Sequence, residues 1–223
     1  MTPERWKRLN DALSRRQPDL TVILENVHKA HNVAAIVRTA DAVGLTEIHA
    51  YVRPDALKRG VLKRHPFVAG GSERWVRVET YSAVTPAMHR LRERGLAVVA
   101  AHLTENAVDF RAVDYTRPTA VLLGQELYGV SPEACALVDR FISIPMVGLV
   151  GSLNVSVAAA VVLFEAQRQR AAAGLYDRCR LDEERYRHLL FEWAYPEIAA
   201  YCREHGKPYP LLDEAGELAQ AVL

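Results

Sequence analysis

Three stretches of this 223-residue chain gather side chains whose types and spacing could do chemistry. The first runs His28-Lys29-Ala30-His31-Asn32 and continues through Arg38 to Asp41. Helical spacing puts Arg38 on a face with Ala34, Ala35 and Asp41 and turns Val33, Ile36 and Val37 the other way, while Asn32 stands where it can cap such a helix. Arg38 can form a surface pair with Asp41, or it can face a phosphate or carboxylate, because the planar guanidinium fork binds two oxygens at once. His28 and His31 have HxxH spacing, but with no third ligand nearby the pair is weak evidence for a metal. The second stretch, Leu122-Leu123-Gly124-Gln125-Glu126-Leu127-Tyr128-Gly129-Val130, is an apolar strand running into a turn framed by glycines. Glycine there lets the backbone approach a ligand, and Glu126 can accept hydrogen bonds from one; an ordinary strand-end turn explains the glycines as well. In the third, Ile144-Pro145-Met146-Val147-Gly148-Leu149-Val150-Gly151-Ser152-Leu153-Asn154-Val155, a strand ends at a proline and a glycine-bearing loop leads to Ser152 or Asn154 at the start of a helix, whose unpaired N–H groups suit a ligand. Gly148 and Gly151 lack the GxGxxG spacing of a dinucleotide site and no GKS/T follows, which disfavours a Rossmann dehydrogenase.

The elements that must position these residues alternate. Thr2, Pro3 and Glu4 read as an N-cap and first turn opening a basic helix to about Arg16. Strand-like runs at residues 21–25, 47–52, 75–79, 96–103, 120–123 and 141–145 are separated by helical patterns: one near 33–43 closed by Gly44, one capped by Ser82 and stopped by Gly95, and one opened by Ser131-Pro132. This rhythm predicts an α/β fold with a mainly parallel sheet and helices on both faces. Residues 53–72 read as a long loop. A helix over 153–173 is apolar on every side in its first half, so it must be buried in the core or against another subunit. A charged helix is expected over 182–205.

Composition bounds the function. Half of the residues are hydrophobic, enough for one sizeable core, and the apolar stretch 155–164 is too short for a bilayer span. The absence of a signal-like opening makes a cytoplasmic protein the expectation. Cys135, Cys179 and Cys202 have neither CxxC nor zinc spacing, which suggests no disulfide framework and no metal. Net charge is only +1, yet the basic residues are segregated. Arg5, Lys7, Arg8, Arg15 and Arg16 crowd the N-terminal segment; Arg53, Lys58, Arg59, Lys63 and Arg64 crowd the loop; Arg168, Arg170, Arg178 and Arg180 follow the apolar helix. Each cluster is a solvated face or a phosphate-binding one.

Taken in order, NxxAxxRTADAVG from Asn32, LLGQExxGVS from Leu122 and IPMxGxxxSLNVSVAAAVxxFEAQRQR from Ile144 resemble the three motifs of the SPOUT-class SpoU/TrmH methyltransferases. The linking phrases QPDLTV, NAVDFR and DYTRPT belong to the same resemblance, which spans residues 5 to 210 and is strongest to the branch that methylates tRNA. It implies an α/β domain over 20–174 with a deep C-terminal trefoil knot, flanked by a basic helical extension at 1–19 and a helical extension at 175–223, and a homodimer packed through the apolar helix. It implies transfer of a methyl group from S-adenosyl-L-methionine to the ribose 2′-hydroxyl of guanosine-18 in the tRNA D-loop, with no membrane and no metal involved. By the same resemblance, Ala101, Gly124, Ile144, Met146 and Leu153 form the cofactor site. Arg38 is the catalytic residue, and Asn32, Glu126, Ser152 and Asn154 orient it, the ribose and the cofactor. Arg8, Arg15, Arg16, His31, Arg168, Arg170 and Arg178 contact RNA. Arginine keeps its proton at neutral pH, so the resemblance leaves two routes for the ribose proton: activation through the substrate phosphate, or oxyanion stabilisation with phosphate or water as acceptor. Methylation of ribosomal RNA and a silent tRNA-binding role remain the alternatives. Leu127 and Gly151 depart from the lysine and glutamine common in the family.

Overall fold

The run Leu20–Glu25 is buried at every residue, as expected of a strand covered on both faces. It is β1 of a seven-stranded sheet completed by β2 (Glu47–Tyr51), β3 (Arg77–Tyr81), β4 (Ala97–Ala101), β5 (Val108–Asp109), β6 (Thr119–Leu123) and β7 (Arg140–Ser143). The computed structural model describes residues 1–52, 74–125 and 128–219; the basic loop cluster, Glu126 and Leu127 lie outside the described residues. Across the sheet the order is β3-β2-β1-β6-β4-β7-β5, with parallel pairing at each junction. Alternation along β1 divides the core in two. Leu20, Val22 and Leu24 pack with α2 (Ala30–Ala42) and α5 (Val155–Ala172), whereas Ile23 packs with α3 (Val84–Glu93) and α4 (Pro132–Cys135). Helices therefore cover both faces, as the βα rhythm predicts.

These elements form one compact unit, Pro18–Leu175. Arg170 of α5 is fully buried within it. Its Nε donates to the Tyr115 carbonyl at 2.8 Å, Nη1 to Asp19 Oδ1 at 2.7 Å and Nη2 to the Arg117 carbonyl at 3.1 Å. The resemblance assigns Arg170 to RNA contact; the structure instead commits the guanidinium to closing the loops before β1 and β6. The apolar face of α5 also divides. Val155, Ala159, Val162, Leu163 and Ala166 are buried, but Val157 and Phe164 are 47% and 51% exposed.

A second unit comprises Met1–Gln17 and Tyr176–Leu223. It contains α1 (Pro3–Ser14), α6 (Glu183–Ala194) and α7 (Pro196–Glu204). Thr2 caps α1 through the Arg5 N–H, and Tyr186 of α6 donates to Asn10 of α1 at 2.7 Å. Arg16, expected at an RNA surface, is only 3% exposed and lies 4.7 Å from the Trp193 ring centroid, a cation–π packing position. The single helix expected over 182–205 is broken between Tyr195 and Pro196, because proline has no N–H to continue the ladder. Ser82 does not cap α3, whose N-cap is Ala83 without a side-chain bond.

Candidate active site

All three sequence stretches emerge at the carboxyl ends of strands in one half of the sheet. β1 delivers the first, β6 the second and β7 the third, with β4 between β6 and β7. Crevices beyond the carboxyl ends of parallel strands are where α/β sheets bind ligands. Here a cleft of about 460 Å³ opens among Asn26, Val27, His28, Lys29, Asn32, Gln125, Tyr128 and Val155, drawing on all three stretches.

The first stretch leaves β1 through Asn26, whose φ of 57° is left-handed and whose N–H donates to the Tyr51 carbonyl at 2.7 Å. Asparagine tolerates this conformation better than most residues. The chain turns at once, His28 Nδ1 lies 3.0 Å from the Asn26 carbonyl, and α2 begins at Ala30. Asn32 is therefore inside the helix and does not cap it. It is 2% exposed, and its Oδ1 accepts a hydrogen bond from Asn154 Nδ2 at 3.1 Å. Asn154 is the N-cap of α5: its Oδ1 takes the Ser156 N–H at 2.9 Å and the Ser156 hydroxyl at 2.6 Å. One amide thus ends the third stretch and ties it to the first. Arg38 lies on the exposed face of α2 while Val33, Ile36, Val37 and Ala40 are buried. No hydrogen bond or ion pair engages its guanidinium among the described residues, so the pair with Asp41 is not formed. His31 and Ser152 are exposed as well.

The second stretch is closely folded on itself. Gln125 and Gly129 exchange backbone hydrogen bonds of 3.1 and 2.9 Å. A Cβ at Gly124 would lie 2.1 Å from the Gly129 carbonyl oxygen, and one at Gly129, whose φ is +66°, would lie 2.7 Å from His102 Nδ1. The close approach that Gly124 permits is to its own chain. Gly151, by contrast, has nothing within 4 Å of a built Cβ.

Of the residues expected around a cofactor, Ala101 ends β4, Gly124 follows β6 and Ile144 follows β7. Ala101 pairs in register with Leu123 and with Ile142, which puts the three strand ends side by side. Met146 and Leu153 are half-buried on the segment between β7 and α5, whose Val147 and Leu149 are fully exposed. These five residues do not line the cleft around Asn32. Sequence reasoning missed two residues at these strand ends. Glu25, 2% exposed, accepts the Ser131 N–H at 2.9 Å; His102 packs beneath Gly129. A carboxylate closing an aliphatic run was the available signal for Glu25. Burial and the Glu25 charge together push the nearby Cys135 thiol up.

Two family profiles match this architecture: SpoU rRNA Methylase family over residues 19–164, and SpoU, rRNA methylase, C-terminal, over 168–221. The chain belongs to the SpoU family. Among SpoU-type relatives, the tRNA (guanosine(18)-2′-O)-methyltransferase of Escherichia coli is 50% identical over 98% of this chain and 94% of its own length. The enzyme of that name from Thermus thermophilus is 56% identical over 86% and 96%. A crystal structure of an Aquifex aeolicus TrmH/SpoU tRNA modifying enzyme superposes with a TM-score of 0.79 at 42% identity, covering 87% of this chain and 97% of that one. Within this SpoU protein the first and third stretches meet through the Asn32–Asn154 bond. Of the arginines expected at RNA, Arg8, Arg15, Arg168 and Arg178 are exposed, and Arg168 grips Glu165 through two bonds of 2.8 and 2.7 Å. Among the described residues no His/Cys/Asp/Glu group of metal-binding kind occurs, and no helix is long and apolar enough to cross a membrane.

Proposed function

We propose that this protein transfers a methyl group from S-adenosyl-L-methionine to the 2′-hydroxyl of guanosine-18 in the D-loop of tRNA. The observation that carries the reading is an exposed Arg38, unengaged among the described residues, on a helix that Asn32 and Asn154 bind to the third motif. The names of full-length relatives at 50–56% identity support the substrate. The carboxyl ends of β6, β4 and β7 suit the cofactor, since three adjacent parallel strands end there with the small residues Ala101 and Gly124 and the half-buried Ile144. S-adenosyl-L-methionine supplies an electrophilic methyl group whose bond to sulfur breaks as the bond to the ribose oxygen forms.

The chain's part is to hold the hydroxyl in line and to manage its proton. Arg38 binds a substrate phosphate next to the target ribose, so that a phosphate oxygen takes the proton while the guanidinium offsets the charge developing on the 2′-oxygen. Asn32, Ser152 and Asn154 orient Arg38 and the ribose; Glu126 belongs to the same set by its motif position. Met146 and Leu153 join the cofactor contacts. Arg8, Arg15, His31, Arg168 and Arg178 take up RNA phosphates, which positions the tRNA without reading its sequence. Val157 and Phe164, seven residues apart on α5, form the apolar stripe through which two copies pair as a homodimer. The reading includes the family's trefoil knot and a cytoplasmic site of action, where tRNA is available.

The test is methyl transfer from labelled S-adenosyl-L-methionine to a tRNA transcript, beside an identical transcript already carrying 2′-O-methylguanosine at position 18. Label entering only the unmodified transcript is expected. Equal labelling of both places the reaction at another nucleotide, and labelling of ribosomal RNA alone replaces tRNA as the substrate.

A further inference from the structure

We propose that Glu25 is a positioning residue for the cofactor-binding loop, acting through the Ser131 N–H; this rests on the reading of that loop as part of the S-adenosyl-L-methionine site. The loop after β6 doubles back, and the Gln125–Gly129 bridge locks its outgoing and returning legs together. The Gly129 carbonyl oxygen occupies the space a Cβ on Gly124 would need, so the two legs pack backbone against backbone and a shift of the returning leg is expected to carry Gly124 with it. The returning leg ends at Ser131, the N-cap of α4, whose hydroxyl accepts the Ala134 N–H at 3.2 Å.

An N-cap residue has a backbone N–H of its own to satisfy, and in a capping box a Glu or Gln at N3 reaches back to it. Here N3 is Ala134, which cannot. The acceptor comes instead from 106 residues away, where Glu25 Oε2 meets the Ser131 N–H at 2.9 Å. A carboxylate only 2% exposed is costly to keep in a protein interior, and a charge-assisted bond to backbone N–H is among the few contacts that offset the cost. Glu25 is the last residue of β1, next to the left-handed Asn26 through which the chain leaves the strand toward the first motif. One side chain therefore anchors the returning leg of the second motif to the root of the first, and the distance it spans sets where Gly124 presents its backbone.

Two conservative substitutions separate reach from charge. Glu25→Gln keeps the length of the side chain and a carbonyl oxygen for the Ser131 N–H, while Glu25→Asp keeps the charge but withdraws the oxygen by one methylene. Binding of S-adenosyl-L-methionine is measured by titration calorimetry without RNA, after thermal unfolding has established that each variant is folded. Glu25→Gln is expected to bind within threefold of the unaltered protein. Glu25→Asp is expected to raise the Kd at least tenfold and to leave the KM for tRNA unchanged. Equal affinities of the two variants, or a loss confined to Glu25→Gln, would overturn the proposal. If the unaltered protein itself binds no S-adenosyl-L-methionine, the reading of the cofactor fails, and the positioning role fails with it for want of a ligand.

Discussion

At the scale of single residues, the site depends on groups whose neighbours leave little room for substitution. Gly124→Ala would drive a methyl group into the Gly129 carbonyl, a backbone atom that cannot rotate away. Overpacking of this kind costs about 1–3 kcal/mol, so urea unfolding should show a lower midpoint and calorimetry a weaker cofactor affinity. Gly151→Ala, with open space around the built Cβ, should change neither. Arg38→Ala removes an exposed side chain without a partner among the described residues; folding and cofactor affinity should hold while kcat falls by about 10²–10³ or more, the scale of losing one donor at a developing oxyanion. A loss of cofactor affinity instead would assign Arg38 to the wrong ligand. The type and position of Arg38 were legible in the sequence because helical periodicity alone decides which way it faces. That Asn32 joins another helix was not, since its partner Asn154 lies 122 residues away.

At the scale of elements, α5 has three tasks. Its N-cap holds the third motif to the first, its buried face covers the sheet, and its last turn places Arg170 against the loops before β1 and β6. Removing one partner of a buried ionic pair costs about 3–5 kcal/mol. Arg170→Leu should therefore destabilise the fold by that order and, in whatever fraction remains folded, leave the affinity for RNA per active site unchanged. Denaturant unfolding alongside tRNA titration distinguishes this from loss of a phosphate contact. The apolar first half of α5 was legible as a surface to be covered. Its division into a core face and an exposed stripe at Val157 and Phe164 required the neighbouring elements, because composition without polar residues carries no angular information.

At the scale of the whole molecule, charge and pH bear on stability. His49 of β2 is fully buried, with Tyr81 at 3.0 Å, Glu79 and Glu47 near its two nitrogens, and Arg90 and Arg94 behind those carboxylates. Burial, outweighing the attraction of the two carboxylates, holds its pKa below the ordinary 6.5. Below pH 6.5 the unfolded chain takes up a proton that folded His49 resists, so its contribution to stability is complete above that pH and declines as the pH falls toward the depressed folded value. Comparing unfolding free energies at about pH 7.5 and about pH 5.5, on either side of the ordinary histidine value, His49→Gln should lose less stability on acidification than the unaltered protein; equal slopes would mean that His49 is not the group responsible. RNA binding should weaken with salt, and Arg178→Ala should reduce the slope of log K against log salt by roughly 0.7–0.9, the yield of one phosphate contact.

The sequence by itself determined six of the seven strands, the helices between them, the parallel class of the sheet and the family motifs, because each is written in local periodicity, capping residues and short runs; the two-residue β5, too short to show a period, and the break between α6 and α7 were not among them. Ser131 and Thr2 cap helices as their residue types require. Tertiary structure alone decided which arginines of the basic clusters face solvent and which polar groups meet. Arg16 and Arg170 have the same composition signal as Arg15 and Arg168, yet the first pair is buried, Arg16 against Trp193 and Arg170 against carbonyls far away in the chain. Glu25 likewise reads as the end of a strand until the fold brings Ser131 to it. The physical reason is the same in each case: the energy of a buried charge depends on partners that share no sequence neighbourhood with it.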